Sequence, residues 1–234
     1  MLPLGHVIRQ HGLHFHCYTD DTQLYISSKS INPAILPTIS GCLSDIKHWM
    51  DTNFVKLNCS KTELLITGPK SLLPSVQNIF VQTDSLTVTP SSTVPNLGAT
   101  FDSSLSFKSH INNIHRVSFF HLGNIAHLHP SLPDSTAQTL IFAFITSRLD
   151  YCDSILYRLP SSALQKLQYI QNSAALLLTY TRSRDHITPV LKQLHWLPVS
   201  YRIHYKLLLI TYKCLNNLAP SFRFFFRFQI LLAK

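Results

Sequence analysis

Charge is sparse in this chain of 234 residues: 13% are Asp, Glu, Lys or Arg, against 45% apolar. That balance excludes a chain held open by self-repulsion and leaves enough apolar material for a core, in one large domain or two small ones. No run approaches the 18 apolar residues of a membrane span, and Met1-Leu2-Pro3-Leu4-Gly5-His6 has no basic-then-apolar signal pattern, so no span is expected. The five cysteines (Cys17, Cys42, Cys59, Cys152, Cys214) are odd in number, widely spaced and without a Cys-x-x-Cys pair. They read as thiols in a reducing compartment, with no disulfide-linked partner expected and an intracellular location, cytoplasm or nucleus, as the default. Acidic residues are absent from the first 19 positions; Asp20 is the first.

That first acid arrives as a pair. Leu13-His14-Phe15-His16-Cys17-Tyr18 and Thr22-Gln23-Leu24-Tyr25-Ile26-Ser27 flank Thr19-Asp20-Asp21. Read with period 2, the segment is a β-hairpin with both acids at its tip. A hairpin tip fixes carboxylates and exposes them, which suits Mg²⁺ held for phosphoryl or nucleotidyl transfer. The plain alternative is a turn, for which Asp is a preferred residue.

Downstream, Ile35, Ile39, Leu43, Ile46 and Trp49/Met50 recur at three and four, predicting an amphipathic helix from Pro33 to about Phe54 that covers one face of a sheet. Short strands are expected at 63–67, 79–82, 86–89 and 97–101, separated by Gly68-Pro69, Pro74 and Pro90-Ser91-Ser92, with Gly98 marking a bulge or a close backbone approach. From Ser106 the pattern turns helical, with helices expected over 106–127, 134–147, 161–180, 189–194 and 198–217, packed as a bundle. Pro133-Asp134, Thr188-Pro189 and Pro198 signal starts, Thr188-Pro189 supplying cap and first turn. Leu164, Leu167, Ile170, Ala174 and Leu177 share one face of the third helix.

The charge is divided unevenly. Residues 1–102 carry six Lys/Arg against seven Asp/Glu, whereas residues 103–234 carry fourteen against four, a formal +10. Neutralising phosphates releases counterions, so the second half suits nucleic acid; simple solubility is the plain alternative. Arg202, Lys206 and Lys213 form a stripe on the last helix, away from Ile203, Leu207, Ile210 and Cys214, and are candidates for phosphate contacts; the plain alternative is a solvated helix face. Arg182 and Arg184, between helices, are further candidates, with a loop role and a cap at Asp185 as the alternative. His14 and His16 share a strand face near His11, a workable spacing for imidazole ligands, but no further ligand set accompanies them and a structural role is expected.

The text Pro3-Leu4-Gly5-His6-Val7-Ile8-Arg9-Gln10-His11-Gly12 and Phe15-His16-Cys17-Tyr18-Thr19-Asp20-Asp21-Thr22-Gln23-Leu24-Tyr25 resembles the palm-domain Tyr-x-Asp-Asp region of LINE-type (non-LTR) retrotransposon reverse transcriptases. The resemblance runs on through Leu57-Asn58-Cys59-Ser60-Lys61-Thr62-Glu63, Asn96-Leu97-Gly98-Ala99-Thr100-Phe101-Asp102, Arg148-Leu149-Asp150-Tyr151-Cys152-Asp153, Leu194-His195-Trp196-Leu197-Pro198 and Leu218-Ala219-Pro220, covering roughly residues 3 to 221. It implies an α+β chain: a partial polymerase palm over 1–105 (β-hairpin, helix, small strands), then an all-helical thumb-like bundle over 106–221. Asp20 and Asp21 would be vestigial metal ligands for Mg²⁺, Tyr18 and Gly98 would lie near nucleotide or primer, and the thumb-like part would hold an RNA/DNA template–primer duplex. The family's third metal-binding Asp lies on a strand well upstream of this motif, and neither it nor the fingers has a counterpart here. The expectation is therefore a truncated RNA-directed DNA polymerase domain of retrotransposon origin, incompetent as an isolated chain. The alternatives are a non-catalytic nucleic-acid-binding module and a translated remnant without selected function. Residues 222–234 depart from the family and read as a divergent tail, either a sticky amphipathic anchor or an out-of-frame addition.

Overall fold

The computed structural model describes residues 2–28, 35–71, 73–76, 79–83, 86–182, 184–218 and 230–233. The chain is α+β and divides into two compact units, Met1–Ser106 with Phe224–Lys234, and Phe107–Arg223.

The first unit opens with helix α1 (Leu2–Gln10), an element not expected from the sequence. Leu4 and Ile8, one helical turn apart, are its buried residues, and at Gly5 any Cβ would collide with the Phe15 ring, so glycine lets the helix lie close over strand β1 (His14–Tyr18). Arg9 lies 5.2 Å from the Phe15 ring centre and adds a cation–π contact. The expected hairpin is present: β1 pairs with β2 (Asp21–Ile26) antiparallel, from His14↔Tyr25 to Tyr18↔Asp21. Leu24 is the buried residue of β2. Helix α2 (Ile35–Thr52) buries Ile39, Cys42, Leu43 and Ile46, the stripe its spacing predicted. Pro33 lies outside the described residues. Together with Leu4, Ile8, Leu13, Leu24, Leu64, Val81 and Val88 these side chains form one core cluster. Burial, with the Asp45 carboxylate beside it, pushes the Cys42 thiol up to about 12, which makes it an inert core residue rather than a nucleophile.

Strand β3 (Glu63–Ile66) and the pairs β4 (Val81–Thr83) with β5 (Leu86–Val88), and β6 (Thr93–Asn96) with β7 (Ala99–Asp102), complete the antiparallel pieces. Two expectations change here. The single strand expected over 97–101 is a hairpin, because Leu97 and Gly98 form its two-residue turn with φ of 45° and 82°. Gly98 is thus a turn glycine, not a bulge, and two positive φ values are what a type I′ hairpin turn demands. The divergent tail, for which no strand was expected, supplies β8 (Ile230–Ala233), which lies inside the main sheet in the order β1-β2-β8-β3. The remainder of the tail lies outside the described residues.

The second unit is helical: α3 (Lys108–Leu128), α4 (Asp134–Ile141), α5 (Ser147–Asp150), α6 (Ser161–Thr179), α7 (Ile187–Gln193) and α8 (Val199–Leu215). The helix expected over 134–147 is interrupted by a π-helical turn at Phe142–Thr146, which re-aims the helix between α4 and α5. Helix α7 begins at Ile187 with His186 at its cap, so Thr188 and Pro189 lie within the first turn and neither they nor Asp185 supply the cap residue. Helix α6 is central, packing on α3, α4, α7 and α8 and burying Leu167, Ile170, Ala174 and Ala175. Its Gln171 donates to the Leu197 carbonyl at 2.8 Å and its Gln168 accepts the Val199 N–H at 2.9 Å, fixing where α8 starts. No helix of the described residues is long and apolar enough to cross a membrane, and the five cysteines are free.

The β6–β7 turn yields a paired prediction. Leu97→Asn gives the Asn-Gly turn and should stabilise the protein by about 1 kcal/mol, because Leu pays for its left-handed φ; Gly98→Ala should cost at least about 1 kcal/mol. Urea melts of the two variants against the parent check the opposite signs.

Candidate functional site

The hairpin tip is built by its register. Tyr18 opposite Asp21 leaves Thr19 and Asp20 as the turn, with Thr19 at φ 54°. The Thr19 hydroxyl lies 2.7 Å from its Tyr18 carbonyl acceptor and 2.9 Å from Asp20 Oδ1, tying the turn residue to the acid beside it. Asp20 is exposed in the turn, Asp21 half-buried as the first residue of β2, and Tyr18 64% exposed. Both carboxylates thus stand where a solute can reach them, on backbone held by the adjoining ladder.

Beside the tip lies a cleft of about 200 Å³. Asp20, Asp21 and Thr22 form one wall, and Lys56, Asn58 and Lys61 line it from the segment between α2 and β3. Leu24, Leu43 and Ile46 reach it from the core side. Lys56, Asn58 and Lys61 were not singled out from the sequence, although Asn58 and Lys61 lie in the Leu57-to-Glu63 block of the resemblance. A small cleft lined by both carboxylates and ammonium groups suits an anion accompanied by a divalent cation.

The β6–β7 hairpin is joined to this region by Gln23 of β2, whose side-chain amide donates to Asn96 Oδ1 at 2.6 Å. Asn96 directly precedes the Leu97-Gly98 turn, and Gly98 is not among the residues that line the cleft. The three early histidines do other work. His14 and His16 stack on Tyr25 from the facing strand, at 5.4 and 4.9 Å between ring centres. His11 Nε2 lies 2.7 Å from Asp45 Oδ2, linking the end of α1 to α2.

Asp20 and Asp21 offer the hard oxygen donors that Mg²⁺ takes. Among the described residues no group of three His, Cys, Asp or Glu is gathered that could hold a metal ion. The pair fits one hydrated ion; a clamp on two ions, which draws acids from several elements, does not fit these residues.

In the helical unit the Arg202, Lys206 and Lys213 stripe separates into different environments. Arg202 Nη1 contacts both Asp150 oxygens at 2.9 and 3.0 Å, and its Nε donates to the Leu197 carbonyl at 2.8 Å. It is a bracket between α5 and α8, not a cation held out to solvent. Lys206 is half-buried and partly offsets the rise that burial gives the Asp153 carboxyl, whereas Lys213 is exposed. Arg182 and Arg184 are exposed in the loop between α6 and α7. The stripe that does face solvent is aromatic: Tyr201, Tyr205 and Tyr212, with Leu208 and Leu215, are 59–79% exposed along α8. Their spacing of four and three gives one helix face, a pattern present in the sequence but not weighed there.

Comparison with protein-family models, curated proteins and solved structures gives no match for this chain.

Asp153 generates the pH prediction. It is buried, its Oδ1 has no hydrogen-bond partner, and burial raises its carboxyl above the ordinary 3.8 against the opposing effect of Lys206. A raised carboxyl binds its proton more tightly folded than unfolded, so its contribution to stability is largest at acid pH and declines as pH rises through the folded pKa. Asp153→Asn should therefore gain melting temperature over the parent as pH increases from about 4 to 7. In the same assay Arg202→Ala should lower stability by about 1–2 kcal/mol, and Lys213→Ala should change it by less than about 0.5 kcal/mol.

Proposed function

We propose that the chain is a reverse-transcriptase-type palm segment followed by a thumb-like helical region, acting as a nucleic-acid-binding module without polymerase activity of its own. The observation that carries the reading is the Tyr18-to-Asp21 hairpin tip, whose two acids line one cleft together with Lys56 and Lys61. Polymerase ancestry is supported by the order of the sequence blocks that resemble LINE-type enzymes. Loss of activity is supported by the donor set, since an in-line displacement between a primer 3′-hydroxyl and a nucleoside triphosphate needs charge neutralised on both attacking and leaving oxygens. Two neighbouring acids on one turn hold one ion at most, so no chemical step is assigned to them.

Binding is favoured by the second half of the chain. Its +10 formal charge attracts phosphate, and the exposed tyrosines of α8 beside Lys213 combine a cation with flat surfaces on which bases stack. Arg182 and Arg184 add charge at the loop after α6. Arg202 is reserved for α8 packing, and Lys206 for balancing Asp153. Phosphate contact therefore falls to Lys213, Arg182 and Arg184. The partner on this reading is a template–primer duplex or its single-stranded end, and the compartment is intracellular.

Two assays test it on the intact chain. Binding to a labelled RNA–DNA hybrid should weaken steeply with salt, survive Asp20→Ala/Asp21→Ala, and fall about 3- to 10-fold in Tyr205→Ala/Tyr212→Ala. Primer extension on an RNA template with Mg²⁺ or Mn²⁺ should give no product. Extension lost in Asp20→Ala would refute the inactive reading, and salt-insensitive or absent binding would refute the module.

A further inference from the structure

The main sheet is closed by a strand from the far end of the chain. Strand β8 pairs antiparallel with β2 on one side and with β3 on the other, four residues to each. Among the described residues β2 and β3 do not pair directly. Remove β8 and their facing edges stand two strand spacings apart, about 9.5 Å, too far for any backbone hydrogen bond between them.

The gap has a defined chemistry. Leu24, Leu232 and Leu64 form one register row, and Ile26, Ile230 and Ile66 another. Leu24 and Leu64 are buried, and Ile26 and Ile66 pack on the same core cluster. The intervening row runs Tyr25, Leu231, Leu65, and Leu65 is fully buried in a second cluster with Val94. Core clusters thus border the gap at alternate rows, so it selects a strand apolar at successive positions rather than at every second one. Ile230-Leu231-Leu232-Ala233 is such a run. The outer side of β3 is met by Pro90 and by the Ser91 N–H bonding to the Leu64 carbonyl.

We infer that the space between β2 and β3 is a strand-acceptor site whose ligand is the aliphatic C-terminal segment, donated within one molecule and exchangeable for the same segment of a second copy. Recognition is by main-chain ladder on both sides, with aliphatic rows setting the register. Because the donor is tethered, its effective concentration is on the order of millimolar, so the self-filled form dominates in dilute solution and exchange rises with protein concentration.

The test uses the full-length chain with Leu231→Pro, which removes a ladder donor from a central strand, and a labelled synthetic peptide of residues 227–234. The variant should lose amide protection at Gln23–Ile26 and Glu63–Ile66, recover it on adding the peptide, and bind that peptide at least about 10-fold more tightly than the intact chain does. A wider loss of protection in the first unit that the peptide reverses is also the predicted behaviour. Unchanged protection in Leu231→Pro, or a loss that millimolar peptide does not reverse, overturns the inference. A peptide carrying the same proline should have no effect; equal restoration by it also overturns the inference. None of these readouts depends on nucleic-acid binding or on the acid pair, so they stand or fall independently of the proposed function.

Discussion

The antiparallel register of β1 with β2 is the constraint on which the first unit depends. Side chains alternate along a strand, so a slip of one residue would turn Leu24 out of the core and bring its polar neighbours in. The same register leaves only Thr19 and Asp20 in the turn, sets Asp21 at the head of β2, places Tyr25 between His14 and His16, and brings Gln23 to Asn96. The geometry of the acid pair is therefore a by-product of packing a hydrophobic strand. Fixing the core fixes the tip, and neither carboxylate has to contribute to stability for the tip to persist.

Charge is handled differently in the two units. In the first, Asp20, Asp21, Lys56 and Lys61 line one small cleft. In the second, a surplus of cations is sorted by burial: Arg202 is matched to Asp150, Lys206 offsets Asp153, and Lys213, Arg182 and Arg184 remain at the surface. A half-buried ion pair holds α8 against the end of α5, because leaving either partner alone there would strand a poorly solvated charge. That assignment narrows the proposed nucleic-acid surface to the residues that bracket no helix, and it brings the exposed tyrosines forward.

Legibility from sequence followed the range of the interactions involved. The hairpin was readable because alternation and turn chemistry are both local, and helices α2, α3, α6 and α8 because their apolar spacing is. Helix α1 was missed: Pro3 and Gly5 lower its propensity, and its formation rests on Leu4 and Ile8 finding the core. Strand β6 was missed because Pro95 reads as a breaker, yet its partner Thr100 lies on the other arm of a hairpin that is its own two-stranded sheet, where proline on an edge is tolerated. Strand β8 was missed because its partners lie more than 160 residues away and Ile230-Leu231-Leu232-Ala233, apolar at every position, shows no alternation. The same holds for Arg202, whose partner is 52 residues distant, and for Lys56 and Lys61, which join the acid pair only through the fold.

Ion binding at the hairpin tip is the most direct measure of the central proposal, that Asp20 and Asp21 hold one divalent ion and not the two that polymerisation takes. Titrating the intact chain with Mn²⁺ and following free ion by electron paramagnetic resonance should reveal one bound ion per chain, abolished by Asp20→Asn/Asp21→Asn with the melting temperature preserved. Two ions bound at the tip, or one whose affinity is untouched by that double substitution, would contradict the account.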